Sequence, residues 1–221
     1  KMPVDVELAT DERRELGGRL AGLSLPRQVY VLAIWPLLEQ CLAFMVGMVD
    51  LMLAGRLAPQ SIAIAATDAL GTAGYVGWLM GMIHGSVGVG ATALIARAVG
   101  ARHKRLANGA LGQALLLALG SGFFVAAMVF VLARAVGVLV GLHDTSLDNC
   151  TAYLRIVALA APASAILLVG NAALRGAGDT RSPFLIMMVV NLVNIGASIL
   201  LVFGPEPIGG HGVKGIAAGT A

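Results

Sequence analysis

Charge is the scarcest commodity in this sequence. Asp, Glu, Lys and Arg make up 12% of its 221 residues, about half of the ~25% that a soluble domain spends on them. So few charges cannot cover a water-facing surface, which excludes a soluble globular enzyme. Disorder is excluded as well, because 58% of the residues are hydrophobic and disordered chains are poor in them. Cysteine is nearly absent. Cys41 and Cys150 form neither a metal-ligand spacing nor a disulfide framework, and read as apolar fillers. No paired His, His-Glu-x-x-His, Gly-x-Ser-x-Gly or phosphate loop occurs. Gly88-Val-Gly90-Ala-Thr-Ala93 looks like a dinucleotide fingerprint but neither follows a strand nor opens a βαβ unit. Neither catalysis nor a cofactor has a foothold.

What remains is apolar sequence, with a mean hydropathy of +0.87. A helix needs about 20 apolar residues to cross the hydrocarbon core. Runs at 29–54, 61–99, 106–133, 150–174 and 183–204 meet that need, and 213–221 opens a sixth. All must be helical, because open strands cannot satisfy their backbone in lipid. The expectation is an all-α integral membrane protein with five spans and the start of another. A polar loop is expected between Arg134 and Asn149. Residues 1–28 contain no apolar signal-peptide core and read as a cytoplasmic tail, whose stretch DVELATDERRELGGRL can form a short amphipathic surface helix. Lys1 stands where an initiator Met would, and Ala221 lies inside an apolar run, so we expect a piece of a longer chain.

Run two, 39 residues long, would extend about 58 Å as a helix, and either one or two crossings would fit. The basic residues decide. If it crosses once, Lys1, Arg13, Arg14, Arg19, Arg27, Arg97, Arg102, Lys104, Arg105, Arg175 and Arg181 share one side, leaving Arg56, Arg134, Arg155 and Lys214 towards the other. The positive-inside rule then makes the amino terminus cytoplasmic. The net charge of +3 therefore marks membrane topology, and no nucleic-acid partner is expected. Gly77, Gly81 and Gly85 on this run form a small-xxx-small pattern, expected to be a packing seam.

Acids inside a span are the informative residues. One at a helix centre costs about 2.5–3.5 kcal/mol and usually faces the bundle interior to bind ions, protons or substrate. Glu39 and Asp50 are eleven residues apart, about 1100° of helix and within about 20° of three turns, so both project from one face. Asp68 is expected at a depth similar to Asp50, across the hairpin centred near Pro59. Two plainer readings stand beside these: a wet Asp68 near the interface, and a Glu39 that holds two helices together. His84 has no companion ligand and reads as a packed polar residue. Asn171, Asn191, Asn194, Ser198 and Thr220 punctuate the later spans, either as glue between helices or as oxygens around a carboxylate.

Several segments together resemble one family. Pro36-Leu-Leu-Glu-Gln-Cys-Leu-Ala-Phe-Met-Val-Gly-Met-Val-Asp50-Leu-Met-Leu-Ala-Gly55-Arg-Leu is similar to the first span of the multidrug and toxic compound extrusion family. Ile62-Ala-Ile-Ala-Ala, Gly90-Ala-Thr-Ala-Leu-Ile-Ala-Arg97-Ala-Val-Gly100, Ala173-Leu-Arg175-Gly-Ala-Gly-Asp179-Thr-Arg-Ser-Pro183 and Gly212-Val-Lys-Gly215-Ile-Ala-Ala-Gly-Thr220 follow in the family's order. The resemblance implies twelve spans in two lobes, of which residues 29–221 would be the amino-terminal one. It implies a multi-pass exporter of the bacterial inner membrane, in contact with lipid. Small amphipathic or cationic substrates would leave in exchange for H⁺ or Na⁺, with the missing carboxy-terminal lobe as partner. By motif it makes Asp50 the ion-coupling carboxylate, supported by Asn171, Asn194 and Thr220. Ser198 stands where some relatives carry a second Asp, and Glu39 and Asp68 are further intramembrane acids. Na⁺ at Asp50 would be the one metal ion involved. In the loop 175–183, Gly176 and Gly178 are expected to permit a turn and Ser182 to cap the next helix. A lipid-linked precursor flippase and a non-transporting membrane scaffold are the alternatives.

Overall fold

The computed structural model describes residues 24–205 and 208–221; the expected amphipathic stretch near the amino terminus lies outside them. Six helices follow one another: α1 (Leu25–Gly55), α2 (Gln60–Gly100), α3 (Lys104–Leu139), α4 (Asp144–Gly176), α5 (Arg181–Phe203) and α6 (Gly212–Thr220). The first five are long and apolar enough to cross a membrane, and α2 is one continuous helix of 41 residues. Helix α4 sits at the centre, packed on α2 and α3, while α5 bridges α1 and α6.

Side-chain size is distributed as lipid demands. The buried positions are dominated by alanine, among them Ala54, Ala66, Ala69, Ala118, Ala133, Ala158 and Ala165. Large side chains such as Phe44, Leu116, Phe124, Val131 and Leu159 point outward. In water this arrangement would expose the residues with most to gain from burial. In hydrocarbon, outward Leu and Phe cost nothing, and small residues let backbones come close. The chain is an all-α membrane protein: five spanning helices and the opening turns of a sixth.

The close approaches fall at different glycines from those expected. A Cβ on Gly77, Gly81 or Gly85 would meet nothing within 4 Å, so that pattern is not a seam among the described residues. In the α2–α3–α4 bundle the tight contacts involve α4. A Cβ on Gly122 would come within 2.6 Å of Pro162 Cα, one on Gly88 within 3.0 Å of Ala172 Cβ, and one on Gly176 within 2.8 Å of the Thr92 carbonyl. Thr92 Oγ1 also donates to the Ala172 carbonyl at 2.8 Å. Sequence spacing marks a smooth helix face but not which neighbour covers it.

Two connections also differ from expectation. Most of the polar stretch 134–149 is helical: α3 runs on to Leu139, α4 begins at Asp144, and Arg134 pairs with Asp148 at 3.2 Å across the gap. In the α4–α5 turn Gly178 takes the positive φ of +89°, whereas Gly176 is still helical and serves the approach to Thr92. Asp179, not Ser182, caps α5. Its Oδ1 accepts from the backbone N–H groups of Arg181 (3.1 Å) and Ser182 (3.0 Å), and the Ser182 hydroxyl donates to Oδ2 at 2.6 Å.

These contacts predict a sharp contrast between two glycine substitutions. Gly122→Ala overpacks the α3–α4 contact and should cost roughly 1–3 kcal/mol, lowering the thermal midpoint in detergent. Gly81→Ala should leave that midpoint unchanged or slightly raised.

Candidate functional site

Helix α1 is largely exposed along its 31 residues; its buried positions are Val46, Asp50, Leu53 and Ala54. That spacing is a single stripe of one helical face, and a carboxylate sits within it. Asp50 is 6% exposed. A charge-bearing group in such a stripe needs partners, and they come from the far end of the chain.

Thr220 of α6 reaches Asp50 across 170 residues of sequence. Its Oγ1 lies 2.9 Å from Asp50 Oδ2 and also 2.9 Å from the Ile216 carbonyl. A hydroxyl has one proton and two lone pairs, so it can donate to only one of these acceptors at a time. With Asp50 ionised, the proton points at the carboxylate. With Asp50 protonated on Oδ2, the acid donates to Thr220 and the threonine proton turns to Ile216. Both protonation states keep this oxygen pair satisfied.

Helix α6 is held in place by its fit to α5. A Cβ on Gly219 would collide with Ser198, and one on Gly215 would come within 2.8 Å of the Leu201 carbonyl. Asn194, with its amide turned so that the nitrogen donates, bonds the Val190 carbonyl at 3.2 Å and the Gly219 carbonyl at 3.1 Å. Asn194 therefore ties α5 to α6 one residue from Thr220. Ser198 is fully buried and its hydroxyl faces the carboxylate. Yet Ser198 Oγ and Asp50 Oδ1 both stay without a hydrogen bond, as does Asn191 Nδ2. Unpaired buried oxygens are costly, and their convergence here offers two hard oxygens to a proton or a cation.

Tyr153 of α4 closes the site. Its phenol is buried within electrostatic reach of Asp50 and hydrogen-bonding reach of Thr220. The sequence reading passed over it. A lone Tyr in an apolar run was the available signal, since a buried phenol needs a polar partner.

The remaining expected residues are placed elsewhere. Asn171 is buried on α4, but eighteen residues from Tyr153, about 27 Å along the helix; it does not join the Asp50 cluster in this structure. Asp68 is exposed and accepts a hydrogen bond from Ser146 at 3.2 Å, so the two aspartates have different neighbours and share no proton. Glu39 forms a two-pronged ion pair with Arg175, at 3.0 and 3.2 Å from Nη1; it is the pin between helices. Glu39 and Arg175 are 15% and 28% exposed, and the pair fastens α1 to the end of α4. Nearby, Arg181 stacks over Trp35 at 4.8 Å and Trp35 meets Phe184 at 5.4 Å, fastening α1 to α5. His84 is buried with Nε2 unpartnered. Among the described residues no cluster of His, Cys, Asp and Glu could hold a metal ion.

The chain is thus a bundle of helices suited to a membrane, with a carboxylate buried beside hydroxyls. The MatE family profile matches residues 37–200. The chain belongs to that family. It is 25% identical over 194 residues to the probable multidrug resistance protein NorM of Thermotoga maritima, covering 88% of this chain and 41% of that protein. It is 32% identical over 134 residues to the FAD transporter of Shewanella oneidensis, covering 61% of this chain and 30% of that one. A crystal structure of MATE in the bent conformation has the same fold, with a TM-score of 0.78 at 23% identity, over 88% of this chain and 42% of that one. The chain spans 30–42% of the length of these relatives, consistent with one lobe of two.

The Glu39–Arg175 pair makes a prediction for stability. Glu39→Gln leaves a half-buried guanidinium unneutralised, and after allowance for its exposed share should cost about 1–2 kcal/mol of unfolding free energy. The double variant Glu39→Gln/Arg175→Gln should recover part of that loss in an SDS unfolding titration. Additive losses would mean that the pair is not an energetic unit.

Proposed function

We propose that this chain is the amino-terminal lobe of a secondary active exporter, which moves amphipathic or cationic small molecules out of the cell in exchange for H⁺ or Na⁺. Asp50 is the coupling carboxylate, Thr220 and Ser198 are its oxygen partners, and Asn194 positions α6 against it. The observation that carries the reading is the Asp50–Thr220 contact: a buried acid whose partner hydroxyl has a second acceptor ready. Protonation or its reversal then costs no buried hydrogen bond at Oδ2, so the site can load and unload without unfolding α6.

Coupling follows from differential binding. A conformation that exposes Asp50 to one side binds the ion, and a conformation that buries it against α6 binds it with a different affinity; substrate biases the same equilibrium. A cation would use Asp50 Oδ1 and Ser198 Oγ, whereas a proton would use the Thr220 side. The lipid-linked flippase alternative is not favoured. Its cavity would call for several basic residues deep in the bilayer, and Arg155, the base farthest from a helix end, stacks over Phe130 at 5.2 Å.

In the complete transporter, Asp50→Asn keeps size and removes titration, and should abolish ion-driven efflux of a fluorescent cation from loaded cells while insertion stays normal. Thr220→Ser should retain most of the efflux and Thr220→Val should lose at least tenfold. Wild-type efflux by Asp50→Asn, with its usual pH or Na⁺ dependence, would place coupling elsewhere.

We further propose that the lobe lies in the bacterial inner membrane with its amino terminus in the cytoplasm. In a background lacking Cys41 and Cys150, cysteines at positions 57 and 145 should react with an impermeant thiol reagent outside intact cells. Those at 103 and 179 should react only after permeabilisation. The opposite pattern would invert the topology.

A further inference from the structure

Between α2, α3, α4 and α5 lies a cavity of about 840 Å³, well away from Asp50. Its walls are apolar: Leu111 and Leu115 of α3, Ile166 and Leu167 of α4, and Ile186 of α5. Its mouth is not. Arg102 and Lys104, in and just after the α2–α3 turn, close one end; Asn108 lies one turn further along α3, and Asn171 adds an amide about halfway along the α4 wall. Both bases are exposed, and neither forms an ion pair among the described residues. No acid is available on their own hairpin, because the sequence carries none between Asp68 and Asp144. The other flank of the turn adds Arg97, His103 and Arg105 around a second recess.

The cavity has a length as well as a charge. Lys104 and Leu115 on α3, and Ile166 and Ala177 on α4 and its cap, are each eleven residues apart, about 16 Å of helix. That is about the depth of one leaflet, half of a ~30 Å hydrocarbon core. Val99, Ile166 and Ile186 are each more than a third exposed, so the apolar trough reaches the surface of a lobe whose outer faces suit hydrocarbon. A trough one leaflet deep, with two unpaired cations at its polar end, is complementary to an amphiphile with an anionic head and an acyl tail. Basic recesses between spanning helices bind such head groups, and a soluble anion would have no use for the apolar length.

We propose that this cavity binds one anionic phospholipid, with its phosphate between Arg102 and Lys104 and an acyl chain along α3 and α4. The leaflet concerned is the cytoplasmic one if the proposed orientation holds; the binding does not depend on it. Gly170 lies in the wall, and a Cβ there would meet nothing within 4 Å. Gly170→Leu therefore fills the trough without touching the charges, which separates this site from general attraction of a basic loop to a membrane.

The test is native mass spectrometry of the full-length transporter, offered phosphatidylglycerol and phosphatidylcholine of the same chain length. Phosphatidylglycerol should be retained at least tenfold better. Arg102→Gln/Lys104→Gln and Gly170→Leu should each remove that preference, while the charge-conserving Arg102→Lys/Lys104→Arg keeps it and controls for misfolding. Asp50→Asn should retain the lipid fully, so failure of the coupling reading and failure of this one are separable. Equal retention of both lipids, or a preference untouched by either Gln/Gln or Leu, overturns the proposal. So does abolition of the preference by millimolar inorganic phosphate, which would mark a soluble-anion site. Retention that appears only after deletion of residues 1–23 would assign the cavity to the chain's own tail.

Discussion

Everything near the proposed ion site depends on one carboxylate–hydroxyl contact, Asp50 to Thr220, made between the first spanning helix and the last nine-residue one. Helix α1 has little else buried, so lipid would accept it in many rotations. The stripe that holds Val46, Asp50, Leu53 and Ala54 against its neighbours admits only one. An acid in that stripe is costly unless something answers it, and the answer comes from α6, which is itself pressed on α5 through Gly215 and Gly219. The polar contact and the glycine fit enforce each other: a bulkier residue at 219 would displace the hydroxyl, and without the hydroxyl α1 would bury a poorly partnered charge.

A second fastening lies at the other end of α1. Glu39 pairs with Arg175 and Trp35 with Phe184 and Arg181. One helix thus carries two acids on one face with separate tasks. The deeper pair in the stripe has neutral partners and an unpaired oxygen, which suits a group that must change its charge. The Glu39 pair is neutralised by a permanent cation, which suits a group that must not. The basic cavity beside Arg102 and Lys104 lies on yet another face, so ion coupling and lipid contact need not compete for the same residues.

Much of the fold was legible because hydrocarbon leaves few choices. The five long apolar runs are helices, and the 39-residue run lies in one continuous helix, as the distribution of basic residues led us to expect. The turn near Val140 was less legible: polar residues such as Asp144 and Asp148 read as loop, yet they occupy helix ends, where water reaches them. The glycine seam failed for a different reason. Gly77, Gly81 and Gly85 are spaced as a seam should be, but spacing says nothing about which partner arrives, and here none does among the described residues. At the site, Asp50, Thr220, Ser198 and Asn194 came from a family motif, and the structure brings them together where α1, α5 and α6 meet. Tyr153 was missed, because a single phenol in an apolar run looks like an interface anchor until its neighbours are known. Asn171 has the right residue type at the wrong height, and Arg175 was read as a topological marker when it is also the partner of Glu39.

The central claim is that Asp50 changes protonation in place, with Thr220 switching its own proton between the carboxylate and the Ile216 carbonyl. Infrared difference spectroscopy of the full-length transporter, between alkaline and acid pH, reads that event directly. The account predicts a carboxylic-acid carbonyl band that appears on acidification, is absent from Asp50→Asn, and shifts in frequency in Thr220→Val as its hydrogen-bond partner is removed. A difference spectrum identical in wild type and Asp50→Asn would contradict it.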